Sequence, residues 1–250
     1  MTIMLPQSCD PGYGELGVQV GVETLRQQAF LFGYNTVPPI DLPDVIASKV
    51  TPLPSNAQRL QADTAIGQQT VETTALQNAM VAEGIANGGV MMTPHLMSQI
   101  RDSKGNIVTT YAPQPRPRSA STLATQAVTS LMEGVAQSPG VPFVPDATAG
   151  GIFPPYLCAA VKTGTAQTGL STNHDWMIGF APANNPQVAV AVVVPFQAQA
   201  SDGASVAGPI MRAVLEAALP QGSVSQPCSV PAPPVTDFTT APAIPPAPHP

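Results

Sequence analysis

Charged side chains are scarce in this sequence: they make up 10% of its 250 residues, and fifteen acidic residues outnumber nine basic ones for a net charge of −6. Nucleic-acid binding calls for a basic footprint, so the balance argues that class out. Aromatic residues are also few, 5% of the chain with one tryptophan. Any core is therefore mainly aliphatic, and Trp176, on an apolar stretch, reads as part of it rather than as a stacking platform. Long hydrophobic runs are missing. No stretch reaches the roughly 18 apolar residues of a membrane span, and the start, MTIMLPQSCD, lacks the basic and apolar segments of an export signal. The chain as given reads as having neither anchor nor signal, and as cytoplasmic if expressed in this form. Its three cysteines, Cys9, Cys158 and Cys228, are odd in number, far apart and without a C-x-x-C spacing. The expectation is core or free thiols rather than a disulfide or a metal site. His95 and His249 have no partner at metal-ligand spacing. His174 and Asp175, adjacent on a strand, point to opposite faces and do not read as a catalytic pair.

Aliphatic bulk, proline and glycine are what the chain has instead. Hydrophobic residues reach 44%, enough to build a folded core at this length. From 221 to 250 the sequence is rich in Pro, Ala, Ser and Thr without periodicity, which predicts a disordered tail behind a folded unit over 1–220. Within that unit Leu16, Val20, Leu25 and Ala29 recur at roughly helical intervals before Gly33, predicting one helix stopped by a C′ glycine. Thr73 or Thr74 as N-cap and Gly88-Gly89 as stop predict a second helix. Two short strands are expected on either side of Ser103 to Asn106 (SKGN), and a third helix over 121–137. The runs YLCAAVKTGTAQT, HDWMIGFAPA and QVAVAVVVPF then form an antiparallel meander. A final helix over 205–219 closes it, with Ile210, Val214 and Leu215 as the face packed on the sheet. The fold class is α+β, a three-layer mixed α/β arrangement with helices against an antiparallel sheet.

One cation stands out in the first run of the meander, AVKTGTA from Ala160 to Ala166. On a regular strand Lys162 and Gly164 point to one face and Thr163 and Thr165 to the other, so all four serve one ligand only if it lies along the strand's edge. There Gly164 admits a close backbone and the two hydroxyls can donate to a carboxylate. A lysine that merely discourages edge pairing fits the same stretch equally well. The stretch alone leaves both readings open.

Other stretches, in a fixed order, give that strand a context. Over residues 7–219 the chain is similar to the monofunctional class B penicillin-binding proteins, the peptidoglycan D,D-transpeptidases. SCD, from Ser8 to Asp10, stands where that family has S-x-N, and ELGVQVGVETLRQQAFLFGYN looks like the helix that follows it. AIGQQTVETTALQNAMVAEGIANGGVMMTPHL resembles the G-Q-G segment and T-P-L-Q helix, with Gln69 and Ala75 departing from the pattern. KTGTAQT and HDWMIGFAP resemble the active-site strand and its neighbour. The resemblance implies the transpeptidase fold and serine acyl transfer on peptidoglycan stem peptides ending in D-Ala-D-Ala, or on β-lactams. It implies work on the extracytoplasmic face of the cell membrane, with no metal or organic cofactor. It also implies that Ser8 relays protons toward the leaving group, that Lys162 supports this hydroxyl electrostatically, and that Thr163 and Thr165 hold the ligand's carboxylate. The backbone N–H of Thr165 would be one of two oxyanion donors.

Two departures bear on the chemistry. No serine is followed three residues later by lysine: Ser98 has Arg101 there, while Ser48 and Ser103 precede Lys49 and Lys104 directly. The family's S-x-x-K motif, which carries the nucleophile and precedes S-x-N, is absent, so the chain reads as the C-terminal part of the domain. Asp10 stands in place of Asn, and an ionised carboxylate cannot donate to a substrate carbonyl. Three functions follow: a transpeptidase-like domain, a non-catalytic fragment keeping a noncovalent pocket or partner surface, and a serine β-lactamase-like hydrolase, which the class B character of the second helix disfavours. Between Val188 and Val194 the last strand is apolar on both faces without Lys, Pro or bulge, so an open outer edge is expected to self-associate.

Overall fold

The computed structural model describes residues 3–54, 56–219 and Cys228. Apart from Cys228, the tail expected over 221–250 lies outside the described residues, as does His249. In chain order the elements are α1 (Asp10–Val20), α2 (Val22–Leu31), β1 (Lys49–Val50), α3 (Gln58–Ala65), β2 (Val71–Glu72), α4 (Ala75–Ala86) and β3 (Val90–Met92). They continue with β4 (Gln99–Arg101), β5 (Ile107–Thr110), β6 (Pro115–Arg118), α5 (Thr122–Ala136), β7 (Ala160–Gln167), β8 (Thr172–Ala181), β9 (Val188–Ala198) and α6 (Gly203–Ala218).

Side-chain caps start three of the six helices among the described residues. Thr74 accepts from the Gln77 N–H at α4, Ser121 from the Ala124 N–H at α5 and Asp202 from the Ser205 N–H at α6. Gly33, at φ +92°, follows α2, and the Tyr34 N–H returns to the Ala29 carbonyl at 3.0 Å, the expected C′ arrangement. The single helix expected between Leu16 and Ala29 is instead two. Gly21 adopts φ 87° and ψ 143° between them, a conformation that side chains disfavour and a helix cannot continue. No helix is anticipated over α3, whose apolar spacing is weak. Small residues hold it: a Cβ added at Gly17 of α1 would fall 2.1 Å from the Ala65 Cβ, so the backbones of α1 and α3 meet almost directly.

The antiparallel order β7-β8-β9 is the expected meander, with Lys162 opposite Ile178, Thr163 opposite Met177 and Thr165 opposite Asp175. Residues directly opposite share a face. Val161, Met177, Val188, Val190 and Val192 meet Met211 and Leu215 of α6 in one core cluster. On the other face Ala160, Phe180 and Ala189 meet Met132 of α5 and Ile85 of α4. Helices, sheet and helix make three layers, as the fold class requires. Each fully buried side chain of this size contributes roughly 1.5–3 kcal/mol.

Three expectations need correction. In α6, Ile210 and Val214 are 46% and 43% exposed; the buried face is Ala207, Met211 and Leu215, which four-residue spacing puts on one side of the helix, so of the three residues expected there only Leu215 packs on the sheet. Trp176 is half-buried, not a core residue. Cys158 and Cys228 form a disulfide across 70 residues with a Cα–Cα distance of 5.0 Å. The meander and α6 return the chain to the start of β7, a closure invisible in the spacing of the cysteines. Among the described residues β9 pairs with β8 alone, leaving its outer edge open. None of the helices there is long and apolar enough to cross a membrane.

Candidate functional site

A cleft of ≈ 1000 Å³ runs beside β7. One wall comes from the turn before α1. There Ser8 takes φ 52° and the Cys9 N–H bonds the Met4 carbonyl at 2.9 Å, which aims the serine hydroxyl at the strand. Lys162 reaches it: its Nζ donates to Ser8 Oγ at 2.8 Å and to the Thr163 carbonyl at 2.7 Å. Burial lowers the Lys162 pKa from 10.5 to about 8, and the nearby Asp10 carboxylate, in the first turn of α1, offsets part of that. The amine thus holds its proton far less firmly than a solvated lysine.

The second wall carries hydroxyls. Thr163 Oγ1 and Thr148 Oγ1 share a hydrogen bond of 2.9 Å, and Thr165 Oγ1 accepts from the Gly203 N–H at 3.4 Å. Close packing fixes this wall. A Cβ on Gly203 would lie 2.2 Å from the Trp176 carbonyl oxygen and 2.5 Å from that of Gly164, so only glycine lets the start of α6 seat on β7 and β8. The turn after α3 supplies the third wall, with Gln68 Nε2 donating to the Thr165 carbonyl at 3.0 Å.

All six residues singled out in the sequence, Ser8, Asp10, Lys162, Thr163, Gly164 and Thr165, line this one cleft. Chemically, a hydroxyl bonded to a lysine of lowered pKa can relay a proton, and a cation beside paired hydroxyls can hold a carboxylate. His174 and Asp175 stay apart, as their alternation predicts. The buried Asp175 accepts from Ser201 Oγ at 2.5 Å, while His174 Nδ1 accepts from the Phe196 N–H at 3.2 Å. His95 bonds the Met97 carbonyl, and among the described residues no group of His, Cys, Asp and Glu could hold a metal ion. Thr148 and Gln68 were not singled out. Thr148 stands in an irregular segment with no pattern to mark it. Gln68 had a usable signal, since it sits between Gly67 and Gln69 in a segment already distinguished. Gln69 has φ 55°, a left-handed value that explains why a glycine suits that position in G-Q-G.

Comparison with known proteins identifies the family. Residues 1–216 match the family model for the penicillin binding protein transpeptidase domain. Peptidoglycan D,D-transpeptidase PbpA of Mycobacterium tuberculosis is 38% identical over 223 residues, covering 85% of this chain and 42% of that protein. Stage V sporulation protein D of Bacillus subtilis is 29% identical over 226 residues, covering 87% of this chain and 34% of that one. Penicillin-binding protein A from M. tuberculosis, solved as an imipenem acyl-enzyme complex, superposes with a TM-score of 0.75 at 33% identity, covering 86% of this chain and 47% of that chain. The chain therefore spans less than half the length of these relatives. With most of its length matched and the K-T-G strand, the serine turn and the lysine between them in one cleft, the chain belongs to the penicillin-binding protein transpeptidase domain family.

Proposed function

We propose that the cleft beside β7 is the K-T-G side of a D,D-transpeptidase site, recognising the carboxylate end of D-Ala-D-Ala stem peptides, and β-lactams, in peptidoglycan cross-linking at the outer face of the cell membrane. The observation that carries this reading is the 2.8 Å bond between Lys162 Nζ and Ser8 Oγ, beside the threonine hydroxyls. The ligand lies along the outer edge of β7. Thr163 and Thr165 donate to its carboxylate, and the Thr165 N–H faces the developing oxyanion. Once an attacking serine, which the family carries in S-x-x-K and these 250 residues do not contain, forms the acyl bond, Ser8, in contact with Lys162, would pass a proton to the amine that departs. Asp10, which when ionised only accepts hydrogen bonds, tunes Lys162 through space rather than holding the ligand's amide carbonyl. Support comes from relatives solved as acyl-enzymes with imipenem and with penicillin G.

The absence of S-x-x-K from these 250 residues favours a second reading, in which the chain by itself binds without being acylated. Residues 1–220 then form the folded unit, 221–250 the tail, and the open edge of β9 a surface for self-association. Incubation with fluorescent penicillin followed by denaturing electrophoresis tests the point. The expected result is no retained band, together with weak reversible binding by NMR at about millimolar Kd, or ~−4 kcal/mol. A stoichiometric band would overturn the noncovalent reading, and mass mapping to Ser8 would show that this serine is itself acylated. No binding of either kind would overturn the ligand class.

A further inference from the structure

Two carbonyls on the outer edge of β7, those of Thr163 and Thr165, are already engaged by side chains of the protein. In an antiparallel pair alternate residues aim their N–H and C=O groups at the partner strand, and β7 pairs with β8 alone among the described residues. Thr163 and Thr165, two residues apart, present their carbonyls away from β8. Lys162 Nζ takes the first at 2.7 Å and Gln68 Nε2 the second at 3.0 Å. The Gln68 contact joins residues 97 apart in sequence and is solvent-accessible.

We infer that Gln68 is a gating residue: its carboxamide occupies the Thr165 carbonyl that an extended peptide ligand would pair with, so binding along β7 requires this side chain to swing away. The inference rests on the proposed stem-peptide reading of the cleft. A primary carboxamide donates the same kind of N–H as a peptide backbone, which makes Gln68 a competitor of matched chemistry rather than a steric block. Its backbone is fixed. Gly67 and Gln69, at φ 80° and 55°, bracket it, its N–H bonds the Asp63 carbonyl at 2.9 Å, and its own carbonyl accepts from the Val71 N–H at 3.3 Å. Only the side chain is left to move, and rotamer changes of an accessible side chain are fast. Exchanging one neutral hydrogen bond for another sets the size of the effect.

The test compares N-acetyl-D-Ala-D-Ala, which carries backbone N–H donors, with acetate, which carries only the carboxylate, each titrated by NMR into the full chain. Gln68→Ala removes the competitor, and Gln68→Leu keeps most of the bulk without the donor, guarding against an effect of lost packing. Both variants are expected to bind the acetylated dipeptide about fivefold more tightly, the equivalent of ~1 kcal/mol, with acetate affinity unchanged. Equal dipeptide affinity in all three chains would overturn the gate and leave the ligand reading intact. Weaker binding in both variants would also overturn it, by making Gln68 a ligand contact. Binding of neither probe to any of the chains would fail the stem-peptide reading itself, and the gate with it.

Discussion

Lys162 is caught between two opposing effects, withdrawal from water, which favours the neutral amine, and the Asp10 carboxylate, which favours the ammonium. Burial is the larger, so the folded pKa of about 8 lies below the ordinary 10.5. Asp10→Asn removes the opposing charge and is expected to push the Lys162 titration below about 8, read from its side-chain NMR shifts; an unchanged midpoint would contradict the assignment of Asp10 as the tuning charge. Between about 8 and 10.5 the unfolded chain holds more protons at this residue, so its contribution raises stability with pH there. Glu133 works the other way. It is fully buried in α5, neither carboxyl oxygen has a hydrogen-bond partner, and burial raises its pKa from 4.5 to about 8. The folded chain keeps this proton while the unfolded one loses it above 4.5, so stability falls as pH rises from about 4.5 to 8. Glu133→Gln should flatten the melting temperature across that window, relative to a falling profile in the unaltered chain. Parallel profiles would show that Glu133 is not the titrating group.

Elements with chemical punctuation were legible in the sequence, and those without were not. Thr74 and Gly88-Gly89 bound α4, and the three apolar runs of the meander became β7, β8 and β9, because caps and alternation are local signals. The break at Gly21 was hidden by apolar spacing that runs through it, and α3 by a contact made of glycine and alanine rather than of large side chains. Ile210 and Val214 misled for a related reason: α6 turns its small residues and Met211 toward the sheet, and size alone does not mark the buried side. The β9 edge raises the question of association at this scale. One face is covered by Val188, Val190 and Val192 packing into the core under α6 and the other by Ala189 packing toward α4 and α5, yet its backbone edge has no partner among the described residues. From Val188 to Val194, ahead of Pro195 and the shift in register beside it, this β-branched edge is a template for pairing with a second copy. Sedimentation velocity over a concentration series is expected to show self-association, with fast hydrogen exchange at the β9 edge when dilute. A monodisperse monomer with strong protection throughout β9 would contradict this. Lysine at Val192 is a poor control, because that side chain is part of the core.

At the scale of the whole molecule, the candidate site was legible only as fragments, and the fold assembled them. Ser8 and Lys162 are 154 residues apart, and only the S-x-N-like and K-T-G segments, taken in order, suggested that they meet. Thr148, from an irregular segment, carries no pattern of its own and emerges only where the cleft brings it to β7, whereas Gln68 lies in the G-Q-G-like segment, whose approach to β7 only the fold reveals. The Cys158–Cys228 link likewise reflects where the chain returns, not how its cysteines are spaced. Recognition of a D-Ala-D-Ala carboxylate through the β7 edge is the proposal on which the functional reading of this cleft stands. The most direct measurement is an amide NMR titration of the 250-residue chain with N-acetyl-D-Ala-D-Ala and, separately, its L,L isomer. Saturable shifts are expected at Thr163, Gly164 and Thr165 with the D,D peptide, much smaller ones with the L,L peptide, and loss of the response in Thr163→Val. Shifts that are absent, indifferent to stereochemistry or unaltered by Thr163→Val would contradict it.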